Sequence, residues 1–252
     1  MPALRIIPCL DVQDGRVVKG VQFQNLQDVA DPVELAELYF NQGADEITLL
    51  DISASIEGRS AMMGVVQSCA EATFVPLTVG GGVRSSDDVK RLLAAGADKV
   101  SIGTAAVTNP DIIDQIANQF GSQVLVLSLD VKRGVSKSGF VVTRMGGTQE
   151  TDLDAFDWIC EVAERGAGEL LVNSIDADGT RQGFDIELMT SVREMCDLPL
   201  VASGGAGELS DFVEAAQSGA NALLAASVFH SGSFTIGQVK AELARSGVEV
   251  RN

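Results

Sequence analysis

A chain of 252 residues with 46% hydrophobic content can bury about three quarters of the surface its unfolded form exposes, so its core needs no disulfide or metal staple. Its 35 acidic against 18 basic residues leave a net charge of −17, which excludes nucleic acid and anionic membrane as partners, because both require a basic footprint. Cys9, Cys69, Cys160 and Cys196 fall in separate elements without C-x-x-C spacing, as expected of reduced thiols in the cytoplasm; no signal peptide is expected before Arg5, and no apolar run reaches the roughly 18 residues of a membrane span.

The first apolar run, residues 4–11, reads as a strand that ends on Asp11. Residues 13–30 are too long and too polar for an ordinary strand-to-helix connection, so a lid over an active-site face is expected there, with decoration as the alternative. Asp31-Pro32 supplies an N-cap and a proline at the first helical position, and Gly43 closes that helix. Strands follow at 46–51 and 75–79, after which Ser85 and Asp88 resemble a capping box for a helix ending at Gly96. Residues 99–103 form the next strand, and Asn109-Pro110 opens another helix. The pattern then starts again. A strand at 123–130 ends on Asp130, residues 132–149 carry SGFVVTRMGG as a small inserted hairpin, and Asp152 opens a helix containing Trp158, a packing residue. Strands at 169–174, 198–203 and 222–226 complete the series. Gly43, Gly96, Gly166 and Gly219 each open a Gly-Ala pair followed by Asp, Gly or Asn between a helix and a strand, the loop chemistry of a barrel's stability face. The near-continuous apolar strands imply cover on both sides.

Halves of about 1–120 and 121–252 therefore repeat. Asp11 falls opposite Asp130, Asp51 opposite Asp176, Gly82 opposite Gly205 and Gly96 opposite Gly219, each pair about 120 residues apart. Two (βα)4 halves close most economically into a single-domain (βα)8 TIM barrel over residues 1–252, with catalytic groups at the C-terminal strand ends. Asp11 and Asp130 then face each other across one mouth. Gly81, Gly82 and the Gly103-Thr104 turn on one side, with Gly179, Gly204, Gly205 and the Ala226-Ser227 turn on the other, offer backbone N–H groups and helix N-termini to two phosphates. The overall negative field opposes such a ligand, so its affinity must come from these short-range donors. Two carboxyls on opposite sides of one carbon suit paired proton transfer, provided one keeps its proton near neutral pH; loop capping is the structural alternative. Lys19, on the long loop, is placed to swing over the mouth. No metal and no cofactor is expected, since His230, the single histidine, lacks clustered partners and Cys9 reads as a barrel-filling residue.

RIIPCLDVQDGRVVKG, TVGGGVRSSDDV, ADKVSIGTAAV, NSIDADGT, VASGGAGE and LAASVFH resemble, from end to end, the cyclase subunits of imidazole glycerol phosphate synthase, of histidine biosynthesis. The resemblance implies that ammonia from a glutaminase partner attacks a bisphosphorylated phosphoribulosyl-formimino aminoimidazole carboxamide ribonucleotide, giving imidazole glycerol phosphate and an aminoimidazole carboxamide ribonucleotide. Asp11 is assigned as general acid and Asp130 as general base, although the sequence does not distinguish the two. The resemblance gives Asp176 a substrate contact and leaves Asp51 a structural role. It also matches Arg5, Glu46, Lys99 and Glu169 to a ring that closes the bottom of the barrel, either a gate for ammonia or a salt-bridged plug, with Asp98 a docking contact for the glutaminase on that N-terminal face. Two positions depart from the family: Gly103 stands where Asn is common and Gln27 where Arg is common, each removing a side-chain donor. The related isomerase of the same pathway and a non-catalytic phosphate binder are the alternatives, and the ring favours the cyclase.

Overall fold

Eight parallel strands close on themselves. The structure, a computed structural model, describes residues 3–21, 24–52 and 63–251, and of residues 19–21 and 24–28 it describes the backbone alone. Strand β1 (Arg5–Gln13) pairs with β4 (Ile47–Asp51), and the ladder continues through β5 (Leu77–Gly80), β6 (Lys99–Ile102), β7 (Leu125–Arg133), β10 (Glu169–Ser174), β11 (Leu200–Ser203) and β12 (Ala222–Ala225), which returns to β1. Helices lie between the strands, so this is the expected (βα)8 barrel.

Strand periodicity divides each strand between two cores. Ile6 and Leu10 of β1 face outward into the apolar layer beneath the helices, which also holds Trp158 at 3% exposure. Ile7 and Cys9 face inward, where they pack with Val126, Leu171, Val201, Ala222 and Leu224. Cys9 thus fills the barrel, as its position in the first strand suggested.

Local chemistry fixes the connections. The Asp31 carboxylate accepts the Val33 and Glu34 N–H groups at 2.8 and 3.3 Å and starts helix Pro32–Asn41. Ser85 accepts the Asp88 N–H at 3.2 Å, and the Asp88 carboxylate accepts in return from the Arg84 N–H and the Ser85 hydroxyl, each at 2.9 Å. At Gly43, Gly96, Gly166 and Gly219 the backbone has φ of 89°, 110°, 103° and 98°, a region open to glycine, so these positions terminate helices as expected.

Three local expectations need correction. The helix Ala155–Glu164 is capped by Asp154, not Asp152, because Asp152 still belongs to strand β9 (Gln149–Asp154) while the Asp154 carboxylate accepts the Phe156 and Asp157 N–H groups. The fifth barrel strand begins at Leu125, after a 3₁₀ turn over Ser122–Val124, and runs past Asp130 to Arg133. There it pairs antiparallel with β8 (Phe140–Arg144), which pairs with β9, so the insertion is a three-stranded meander larger than a hairpin. Residues 13–30 hold regular structure as well: β2 (Arg16–Val21) and β3 (Gln24–Ala30) form a hairpin on the end of β1. Asp14 and Gly15, with φ of 52° and 77°, make the two-residue turn that Asp-Gly favours. Lys19 and Gln27 are register partners in this hairpin, and their side chains lie outside the described residues.

Candidate active site

A cavity of about 830 Å³ opens at the C-terminal ends of the barrel strands. Gly81, Gly82, Gly103 and Thr104 line one side, and Gly179, Gly204, Gly205, Ala226 and Ser227 the other, with Asp11 and Asp130 between them. The structure thus brings both glycine loops and both aspartates into one site.

The two loops are built alike. Helix Thr104–Thr108 follows Gly103 at φ −129°, ψ −90°, and helix Ser227–His230 follows Ala226 at φ −123°, ψ −72°; neither has a side-chain cap on its first turn. The first turn of each helix lines the cavity through Thr104 and Ser227 and so offers it backbone N–H groups that no side chain caps. Close packing explains two of the glycines. A Cβ on Gly81 would stand 2.2 Å from the Asp51 carbonyl oxygen, and one on Gly204 would stand 2.7 Å from that of Ser174. Thr104 also fixes the meander over the site, because its Oγ1 accepts the Met145 N–H at 2.9 Å.

The carboxylates differ in setting. Asp11 is 5% exposed, and the Cys9 thiol donates to its Oδ1 at 3.3 Å. Asp130 Oδ1 accepts from Asn173 Nδ2 at 3.1 Å, and Asn173 Oδ1 accepts from the Ser203 hydroxyl at 3.1 Å. Burial pushes the Asp130 carboxyl up to about 6; the Asn173 amide opposes this, and the nearby Asp178 and Asp11 charges reinforce it.

Asp176, expected at the substrate, does not line the cavity. Its Oδ2 accepts the Arg133 N–H at 2.8 Å, on the extension of β7 outside the mouth. The carboxylate that enters the cavity from this loop is Asp178, two residues later, and Asp51 enters it as well although a structural role was expected. The turn after β10 explains the exchange, because the Asp178 N–H bonds back to the Ser174 carbonyl at 2.9 Å and carries residue 178 over the barrel. Asn173 and Ser203 were missed altogether. Counting in twos from Glu169, an inward-facing ring residue, would have placed Asn173 inside.

At the opposite end Arg5, Glu46, Lys99 and Glu169 form one closed cycle of alternating charge. Arg5 Nη1 donates to Glu46 at 2.7 Å, Lys99 Nζ donates to Glu46 and Glu169 at 2.7 Å each, and Arg5 also bonds Glu169. The Thr78 hydroxyl adds a bond to Glu46 at 2.6 Å. Although burial acts against its charged form, Glu169 is held below the usual carboxylate range by Arg5 and Lys99. Asp98 lies beside the ring, exposed, with Oδ2 accepting the Leu77 N–H at 2.8 Å. Ring and mouth are about 20 Å apart along β1, separated by the inner apolar layer.

The family model described as "Histidine biosynthesis protein" matches residues 5–235. Three relatives carry the name "Imidazole glycerol phosphate synthase subunit HisF". That of Clavibacter michiganensis is 61% identical over 99% of this chain and 95% of its own length. That of Cutibacterium acnes is 60% identical over 99% and 100%, and that of Thermobifida fusca 59% over 99% and 99%. Among the described residues, no helix is long and apolar enough to cross a membrane.

Proposed function

Belonging to the histidine-biosynthesis protein family, this chain is the cyclase subunit of an imidazole glycerol phosphate synthase, and we propose that Asp130 and Asp11 carry the proton transfers of its reaction. The full-length match sets aside the isomerase and the non-catalytic binder. A subunit implies a partner, and in this reading the partner is a glutaminase that supplies ammonia. It docks on the N-terminal face of the barrel, beside Asp98, and the chain works as one domain, built from two half-barrels, in the cytoplasm.

The substrate, a phosphoribulosyl-formimino aminoimidazole carboxamide ribonucleotide, carries a phosphate at each end. The loop of Gly82 and Thr104 takes one phosphate, and the loop of Gly205 and Ser227 takes the other, through backbone N–H groups. This stretches the reacting centre between Asp11 and Asp130. Ammonia adds to the ketone, water leaves, the C–N bond to the departing ribonucleotide breaks and the imidazole ring closes. Each stage needs a proton delivered on one side and removed on the other.

The observation that carries the assignment is the Asp130 carboxyl, pushed up to about 6 in the same cavity as both glycine loops. A carboxyl raised above the ordinary carboxylate range can hold a proton to deliver, so Asp130 takes the role of general acid, which leaves Asp11 that of base. This exchanges the roles first given to them, a choice that the sequence had no means to make. Lys19 belongs to the β2–β3 hairpin and is assigned to a substrate phosphate. The ring of Arg5, Glu46, Lys99 and Glu169 passes ammonia into the apolar interior of the barrel.

Purified chain given the bisphosphorylated substrate and an ammonium salt at alkaline pH is expected to form both products without a glutaminase. Absence of turnover in folded protein overturns the reading. With the glutaminase bound, Lys99→Ala is expected to change the ratio of cyclisation to glutamine hydrolysis and to leave the ammonium-driven rate nearly intact. Unaltered coupling in a complex that still assembles makes the ring a structural plug.

A further inference from the structure

The residues that face Asp130 across the sheet are aligned in register. Asn173 of β10 is the direct partner of Asp130 on β7, and Ser203 of β11 is the direct partner of Asn173. All three side chains project to the interior at one level of the barrel, where Asn173 is 9% and Ser203 8% exposed and both line the cavity. We propose that Ser203 and Asn173 form a relay that holds Asp130 for proton transfer, with Asn173 as a positioning residue whose amide is oriented by the Ser203 hydroxyl. The proposal rests on the assignment of Asp130 as general acid.

Both ends of the amide fix its orientation. The Ser203 hydroxyl donates to Oδ1, which directs Nδ2 toward Asp130. Once Asp130 has given up its proton, a flipped amide would set its carbonyl oxygen against the carboxylate, two acceptors with no proton between them. Gly204 leaves the space this arrangement needs, since a Cβ there would stand 2.9 Å from Asn173 Oδ1. The Thr143 hydroxyl, donating to the Asp130 carbonyl at 2.9 Å, holds the backbone of the same residue from β8. Among the described residues, the charged groups that act on Asp130 are Asp178 from the loop after β10 and Asp11 from β1. Both raise its proton affinity, and the Asn173 N–H is the group that opposes them.

The test uses the full chain, with Asn173→Leu and Ser203→Ala. Two quantities are measured: ammonium-driven turnover at fixed free ammonia, and the ¹³C titration of the Asp130 carboxyl. Losing a hydrogen bond to a charged group predicts a kcat about tenfold lower in Asn173→Leu with KM nearly unchanged. The carboxyl midpoint should move upward, because the donor that favours the ionised form is gone. Ser203→Ala should move both quantities the same way by less. Unchanged midpoints and unchanged kcat in folded variants overturn the relay; if Asn173→Leu does not fold, an unshifted Ser203→Ala overturns it alone. Should Asp130→Asn keep its turnover, the acid assignment falls instead, and a shifted midpoint in the relay variants would still record the contact.

Discussion

Glu169 at the bottom of this barrel and Asp130 at its top are buried acids shifted in opposite directions. At the bottom, Glu46 and Glu169 are each bonded to both Arg5 and Lys99, and the cations hold Glu169 below its usual range. At the top, Asp11, Asp51, Asp130 and Asp178 line one cavity in which Arg84 is the single cation among the described lining residues, and Asp130 is pushed upward. Burial penalises charge at both residues; at Glu169 two cations outweigh it, and at Asp130 the Asn173 amide does not. The bottom is therefore a closed network of ion pairs. At the top, Asp130 is raised toward neutral pH, the property that the proposed general acid needs.

The largest effect expected of this contrast is on the chemistry. Asp130→Asn and Asp11→Asn should each lower ammonium-driven turnover by about 10²–10⁴-fold, the range for a positioned acid or base, with substrate binding largely kept. Steady-state kinetics with each variant measures this. A variant with near-normal kcat would remove its residue from the mechanism and erase the functional half of the comparison.

Next in size is the cost of breaking the ring. Glu169→Gln leaves Arg5 and Lys99 sharing one carboxylate, and loss of one partner from a buried network costs about 3 kcal/mol. Denaturant unfolding at neutral pH reads this. Because Glu169 is more acidic folded than unfolded, its contribution is present above the unfolded-chain value and disappears as pH falls through the folded one. The difference between wild type and Glu169→Gln should accordingly shrink in acid. Equal stabilities at neutral pH would mean that the ring's charges are solvated well enough to act singly.

Much of this contrast was legible in the sequence, and its gaps have a common cause. Asp11 and Asp130 lie two and three residues before the ends of their strands, and helix ends were marked by the Gly-Ala pairs, because glycine there serves a turn that depends on near neighbours. The ring could be named through resemblance, and its members do meet as alternating charges. What failed was placement within a loop. Asp176 and Asp178 stand two residues apart in NSIDADGT, and only the bond from the Asp178 N–H to Ser174 decides which one enters the cavity. The hairpin of residues 13–30 was similarly missed, although Asp14-Gly15 was its local signal. Asn173 and Ser203 look like ordinary polar residues in strands until the register sets them beside Asp130.

The third effect is on stability at the mouth, with the sign reversed from the ring. Asp130 binds its proton more tightly folded than unfolded, its carboxyl rising from 3.8 to about 6. Its charge therefore costs stability increasingly from about pH 4 to about pH 6, and by a constant amount above that. Asp130→Asn, neutral throughout, should be more stable than wild type at pH 7 by about 1–3 kcal/mol, with the gain vanishing below about pH 4. Thermal melts across that window measure it. A destabilised Asp130→Asn at pH 7 would show that the fold stabilises the charged form of Asp130, as it does that of Glu169.

The smallest effect isolates the mouth from the ring on a single strand. Gly103 follows β6, whose first residue, Lys99, belongs to the ring, so a change at residue 103 alters one end of the barrel and leaves the other in place. Gly103 is one of the two positions that the resemblance marked as departures, with Asn implied in its place, and its φ of −129° is open to any residue. Backbone strain therefore does not account for the glycine. Space does: a Cβ would stand 2.9 Å from the Ser128 carbonyl oxygen, and the strand neighbour must shift to admit it. Gly103→Asn is expected to lose about 1 kcal/mol to this crowding while adding a side-chain N–H donor to the loop of Gly82 and Thr104. If that loop holds a phosphate, KM for the bisphosphorylated substrate falls in the ammonium-driven assay and the coupling to glutamine hydrolysis stays unchanged. Gly103→Ala, which adds the Cβ without the donor, separates the two consequences, since it should lose the stability and gain no affinity. Equal KM values for the Asn and Ala variants would remove the phosphate from this loop and leave the second loop, at Gly205 and Ser227, as the anion site of the mouth.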